Sequence, residues 1–287
     1  MYTRREFILL AASGALVACK TNQRVDMKHI NQIESDYRYP VFAVPGRDAL
    51  NAWEVLRSKH ANSAWPIVVG SREDFKILRE GIEYGLSRPP SEIVSAASDL
   101  SFPAGFKQHK IQESERLWEE MQSDPNAKAF LEAVGLEKSE YPSIEDIMGT
   151  WPEEPIDESQ ITELSIAIDW ETEEPMDEVL LTLIPTSDWT QIPAFLDYGG
   201  WNDCPSAEWH IAALRHWTEE YECELVGLSY DSMNIRTAKR PTSRTRALEL
   251  ALEQYYYCGD IIEQGVGEIS VLAQILKSSN WWDFWWD

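Results

Sequence analysis

The sequence predicts an α/β domain in which helices cover a mixed sheet, with α+β segregation as the alternative. Three observations carry that expectation. Early in the chain, "VFAV", a helical stretch and "WPIVVG" follow one another at the spacing of a βαβ unit. Farther on, the amphipathic stretch "SAEWHIAALRHWTEEY" leads into the apolar strand "CELVGLSYD". The last seven residues, "WWDFWWD", hold five aromatic rings, a density that calls for a core or a partner.

The elements follow in order. Pro45-Gly46 turns the chain after "VFAV", and Leu50, Trp53 and Leu56 then recur at helical spacing. After "WPIVVG", Ser71 with Asp74 three residues on makes a capping box for a helix whose apolar face is Phe75, Leu78 and Ile82. Residues 91–135 read as helical, punctuated by Pro125 and Gly135. Residues 137–178 are acidic and proline-rich, the composition of solvated loops. They lack the ordered acidic loop of a calcium site. Within them and just after, "LSIAI" and "VLLTLIP" are strand candidates.

In the helix from Ser206, Trp209, Ala213, Leu214 and Trp217 face inward. "MNIRTAK" is a second strand after "CELVGLSYD". Pro241-Thr242-Ser243 starts the helix "RTRALELALEQYYYC", Asp260 with Glu263 caps a short turn broken by Gly265 and Gly267, and "EISVLAQILKSS" closes the helical part. In a final strand Trp282, Phe284 and Trp286 share one face. Trp281 and Trp285 share the other with Asp283 and Asp287. Each ring buries roughly 150–250 Å², so the first face belongs to the core and is built into the sheet. The second is where a binding site has room.

Composition narrows function. At 287 residues with 44% hydrophobic content the chain can bury a proper core, and a net charge of −24 repels nucleic-acid phosphates. Nucleic acid is therefore not an expected partner. The start, "MYTRREFILLAASGALVACK", has a basic head, about a dozen apolar or small residues and then Cys19. Arg4-Arg5 with Phe7 resembles the twin-arginine export motif, and Leu16-Val17-Ala18-Cys19 resembles the lipobox of bacterial lipoproteins. The layout predicts a signal peptide over residues 1–18, a lipid-anchored polar tether over 19–39 and a single α/β domain over 40–287. It places the protein on the outside of a bacterial membrane, held by acylated Cys19. Each buried methylene adds about 0.8 kcal/mol to such an anchor.

The strings "WPIVVG", "IPAFLDYGGWNDCP", "ALRHWTEEY", "ELVGLSYD", "RPTSRTRALELALEQYYYCGDIIEQG" and "FWWD" resemble the bacterial family catalogued as domain of unknown function 4253, most densely over residues 192–287. The resemblance implies an α/β domain and supplies no activity. Gly259 stands where the family pattern has proline, and Cys223 where small residues are usual. An analogy with immunity proteins that bind secreted toxins attaches to such families.

Arg215, Glu224, Asp231, Glu253, Gln254, Asp260 and Gln264 are the polar positions within these strings. A hydrolase-type site would use Glu253 with Asp231 or Asp260, with Glu249 sharing the helix face of Glu253. Ion pairs and caps explain the same residues, and Asp260 as a helix N-cap in particular. A binding site would draw on Arg215, Gln254, Gln264, Trp281 and Trp285. The expectation that leads is a binding protein, possible alternatives being that enzyme or a small-ligand receptor. Arg236, Lys239, Arg240, Arg244 and Arg246 form a basic cluster that either holds an anion or pairs with the acidic middle section. Cys204 and Cys258 are the favoured disulfide, with buried free thiols the competing reading. His210 and His216 lie six apart without zinc-motif spacing, so no metal and no cofactor is identified.

Overall fold

The computed structural model describes residues 30–33, 36–84, 88–134, 144–154, 156 and 162–287. Its strands are β1 (Asn31–Ile33), β2 (Val41–Val44), β3 (Trp65–Gly70), β4 (Val179–Ile184), β5 (Cys223–Leu228), β6 (Ser232–Thr237) and β7 (Trp281–Trp285). Its helices are α1 (Ala49–Lys59), α2 (Arg72–Tyr84), α3 (Pro90–Ala97), α4 (Ala104–Ser123), α5 (Pro125–Val134), α6 (Ile144–Met148), α7 (Ile192–Leu196), α8 (Ala207–Tyr221), α9 (Arg244–Tyr257) and α10 (Ile269–Ser278). A π-helical turn, Ile261–Val266, joins α9 to α10.

The strands form one mixed sheet of order β1-β2-β4-β3-β5-β6-β7, so the α/β expectation holds. Among the described residues only β3 and β5 pair in parallel, with Val68 opposite Gly227. The βαβ unit is real in direction but not in adjacency. β2 and β3 run the same way, yet β4 lies between them, antiparallel to both. The six residues of β4 are buried throughout, and an unbroken apolar run of this kind needs a central place in a covered sheet.

Helices α8 and α9 cover one face. Trp217 of α8 stacks on Phe284 at 5.6 Å, and Tyr257 of α9 meets both rings edge-on. Trp282, Phe284 and Trp286 are 3%, 0% and 2% exposed, so this face of the last strand is core. On the other face α1 brings Trp53 beneath the Arg236 guanidinium at 4.9 Å, while the Trp53 indole donates to the Pro66 carbonyl. The capping box before α2 closes as expected: the Ser71 N–H donates to Asp74 and the Asp74 N–H to the Ser71 hydroxyl.

Three expectations change. "LSIAI" is a 3-10 turn, Ser165–Ala167, because the buried Asn234 amide oxygen takes the Ile166 N–H that a strand neighbour would need. The described end of the stretch read as tether, residues 30–33 and 36–39, belongs to the fold: β1 pairs with β2, and the Tyr39 hydroxyl donates to the Phe195 carbonyl at 3.3 Å. The basic cluster pairs mainly with nearby acids, Arg236 with Glu54 and Glu224, Lys239 with Glu222, and Arg246 with Glu220 and Glu249. Arg244 lies over the Trp151 ring. The leader, Cys19, the Ile82 side chain and parts of the acidic section lie outside the described residues.

Candidate functional site

The pairing directions put the carboxyl ends of β2, β3, β5 and β7 on one edge of the sheet. β3 has β4 on one side and β5 on the other; the chain leaving β3 leads to β4 and the chain leaving β5 leads to β6, so connections part between β3 and β5. Open α/β sheets bind ligands at such a point. Here two adjoining cavities open, of about 170 Å³ and about 440 Å³. Both are lined by Tyr230 and Asp231.

Tyr230 and Asp231 sit on the hairpin between β5 and β6. The Ser229 N–H donates to the Ser232 carbonyl at 2.8 Å, and the Ser232 hydroxyl donates to Asp231 Oδ1 at 2.7 Å. The Trp286 N–H donates to the Asp231 carbonyl at 3.0 Å, which ties the hairpin to the end of β7. Asp231 is thereby held in backbone and side chain alike.

The floor of the smaller cavity depends on Asn234, 2% exposed. Its amide oxygen accepts from the Ile166 N–H, while its amide nitrogen donates to the Ser165 hydroxyl at 2.9 Å and to Asp283 Oδ1 at 3.0 Å. Gly227 makes room for this arrangement, since a Cβ there would stand 2.8 Å from Ile166 Cδ1. Over the floor stands Trp170, 55% exposed. Its loop is tightly folded: Asp169 Oδ1 accepts from the Glu171 and Thr172 N–H groups, and Ile168 bridges Pro175. Those two N–H groups hold the Asp169 carboxyl below its usual range.

The larger cavity is walled by the loop after α7. Asp197, Gly199, Gly200 and Asn202 all adopt left-handed backbone. At Gly199 this is obligatory twice over, because φ is +95° and a Cβ would collide with the Pro205 carbonyl. Arg88 pairs with Asp197 at 3.2 Å, Lys110 pairs with Asp203, and Asn202 donates to the Asp287 carbonyl. Tyr198 packs its ring against those of His210 and Trp286, which also touch each other.

His210 is fully buried behind this wall, and burial depresses its pKa to about 3. The neutral ring donates to the Pro205 carbonyl, beside Nε2, so Nδ1 accepts from the Tyr257 hydroxyl at 2.5 Å. Cys204 Sγ lies 3.4 Å from Nε2, and burial raises that thiol far above its ordinary range. A neutral imidazole beside a thiol kept protonated is a packing arrangement, not an activated nucleophile.

The residues singled out from sequence divide between places. Asp231 and Trp285 line the cleft. Asp260 sits just behind it and occupies an N-cap position, but its side chain does not cap. Instead it accepts from the Gln264 amide and the Asp287 N–H, both at 3.0 Å. Trp281 is at the opposite end of β7, half-buried. Glu253 is on α9, accepts from the Trp217 indole at 3.1 Å and lies 3.2 Å from His216 Nε2. It lines neither cavity, so Glu253 and Asp231 are not brought together. Gln254 is buried in α9, and Arg215 is half-buried on α8; neither reaches the cleft.

The Cys204–Cys258 disulfide is not formed: Cys204, Cys223 and Cys258 are free and buried. Each sulfur has its own neighbour, Cys223 donating to the Trp217 carbonyl and Cys258 to the Trp285 carbonyl. Sequence reading missed Trp170 and Tyr230, and named Asp283 only as a neighbour of Trp281 and Trp285 on the open face of the last strand. Trp170 left one trace, a lone aromatic in an acidic loop, "DWETEEP".

Residues 180–287 match the family model described as "Domain of unknown function (DUF4253)". That span supplies β4 to β7 with Asp231, Asp283 and Trp285, but not "WPIVVG" or Trp170. No curated protein and no solved structure matches the chain.

Proposed function

We propose that this chain is a binding protein of the bacterial cell envelope, anchored through acylated Cys19, with its recognition site in the cleft around Trp170, Tyr230 and Asp231. One observation carries the site: a loop-borne exposed tryptophan and a doubly held carboxylate line the same cavity, the smaller one, at the carboxyl edge of the sheet. The dispersal of Glu253 and Asp260 into contacts of their own favours recognition over hydrolysis.

The net charge of −24 favours a basic partner, and an immunity-type protein that neutralises a basic toxin is one form of this function. A small-ligand receptor is the second reading, favoured by the larger cavity, whose 440 Å³ falls within the roughly 300–1,000 Å³ of small-molecule sites.

The test is a thermal-shift screen of amino acids, polyamines, oligosaccharides and inorganic anions against the full chain and its Trp170→Ala and Asp231→Asn variants. The reading expects each stabilising compound to lose its effect in at least one variant. Stabilisation that survives both places recognition elsewhere. Anchoring is tested separately by mass spectrometry of the protein from its own cells. A mature chain beginning at acylated Cys19 is expected, and an intact leader with an unmodified sulfur contradicts it.

A further inference from the structure

We infer that the larger cavity takes an uncharged aromatic molecule, seated on the face of α2 that Gly81 leaves bare. The inference rests on the small-ligand reading above and adds the place and the chemistry of the ligand.

The bare face comes first. Ile77, Leu78 and Gly81 of α2 all line the cavity, and helix positions three and four apart share one side, so a side chain at 81 would project into the same space as Ile77 and Leu78. No atom stands within 4 Å of the place its Cβ would take. Gly81 is also absent from the glycines with left-handed backbone, unlike Gly199 across the cavity. A glycine inside a helix costs stability relative to almost any other residue, and here neither crowding nor backbone conformation requires one. Its effect is to leave the helix open to close approach by an incoming group.

Size and lining come second. A cavity of roughly 150 Å³ holds one benzene, so about 440 Å³ has space for two or three fused or linked rings. Opposite the α2 face the walls are Leu196 and the residues Tyr198, Trp201, Tyr230 and Trp286, four of the five aromatic. Flat apolar ligands suit such walls, because rings pack against rings offset or edge-on.

The polar groups of the lining hold the walls in place. Asp197 pairs with Arg88, the Asn202 amide donates to the Asp287 carbonyl, and Asp231 takes the Ser232 hydroxyl. A sugar entering here exchanges hydrogen bonds to water for contact with rings and aliphatic chains, which is unfavourable. Among the described lining residues there is no Lys, Arg or His, so an anion finds no partner either. An uncharged aromatic molecule gives up little on leaving water and gains the burial of its rings.

The experiment is isothermal titration of the full chain with 2-naphthol, naphthalene-2-sulfonate and maltotriose, repeated on the Gly81→Leu and Gly81→Met variants. Both variants put a strong helix former at a helix-interior glycine, so each should melt at or above the temperature of the parent. Expected is saturable binding of 2-naphthol, about tenfold or more tighter than that of either other probe and weakened about tenfold or more in both variants. Weaker binding by a chain that melts no lower assigns the effect to the filled cavity and not to the fold. Melting of both variants below the parent shows the glycine serving the fold and overturns the inference. Binding of 2-naphthol that neither variant weakens overturns the place. Tighter binding of the sulfonate, or maltotriose binding that both variants abolish while 2-naphthol does not bind, overturns the uncharged aromatic ligand and upholds the cavity as a receptor site. Absence of binding by all three probes overturns the inference, and the receptor reading then stands or falls by the thermal-shift screen.

Discussion

The two faces of the β6–β7 ribbon make opposite use of neighbouring residues. On the α8–α9 side, Met233 and Ile235 with Trp282, Phe284 and Trp286 are sealed into a cluster of rings around Trp217 and Tyr257. On the other side, Ser232, Asn234, Asp283 and Trp285 build the floor and wall of a cleft. The two sets alternate along the same short strands. A strand's two-residue period has therefore sorted one aromatic string into a half that holds the fold and a half that borders the site.

The largest effect expected is on the sealed face. Phe284→Ala removes a fully buried ring and should cost about 3–5 kcal/mol in chemical denaturation, while Trp170→Ala on the open face should stay within about 0.5 kcal/mol of the parent. Equal losses would erase the contrast between the faces.

Acid should also strike the sealed face first. The folded-state pKa of His210 is depressed to about 3, below its unfolded value near 6.5, so the unfolded chain binds the proton more readily. Its contribution is complete above about pH 6.5. Below that it falls by about 1.4 kcal/mol per pH unit until pH approaches 3. His210→Phe should flatten the stability profile in that window, and an unchanged slope would place the acid sensitivity elsewhere.

Asn234 belongs to the polar face but is buried. Asn234→Leu leaves the Ile166 N–H unsatisfied and should cost about 1–3 kcal/mol. Because the same side chain holds Asp283, it should also weaken whatever the cleft binds. The smallest effect concerns the thiols. Burial keeps Cys204, Cys223 and Cys258 protonated, so they should react with a thiol reagent only after denaturant is added; rapid labelling of the native protein would show that the wall behind the cleft opens.

Much of the scaffold was legible in the sequence because it rests on local rules. The Ser71–Asp74 capping box, the inward face of α8 and the alternation of "WWDFWWD" each follow from residue spacing alone. What failed depended on partners distant in sequence. The place of β4 between β2 and β3, and the conversion of "LSIAI" into a turn by Asn234, are contacts that no local pattern encodes. The site was half legible for the same reason. Asp231 and Trp285 stood out within distinctive strings, whereas Trp170 joins them only because its loop folds back over the end of β5. Glu253 looked equally promising until its helix turned it toward His216 and Trp217.

The central claim is that recognition occurs on the open face at Trp170 and Asp231. Titrating the compound that stabilises most in the thermal-shift screen into 15N-labelled protein and following the assigned indole N–H signals tests it most directly. The account predicts that the Trp170 and Trp285 signals shift together and saturate while those of Trp217 and Trp282 stay in place. Saturable movement of Trp217, beside Glu253, with Trp170 unmoved would contradict it.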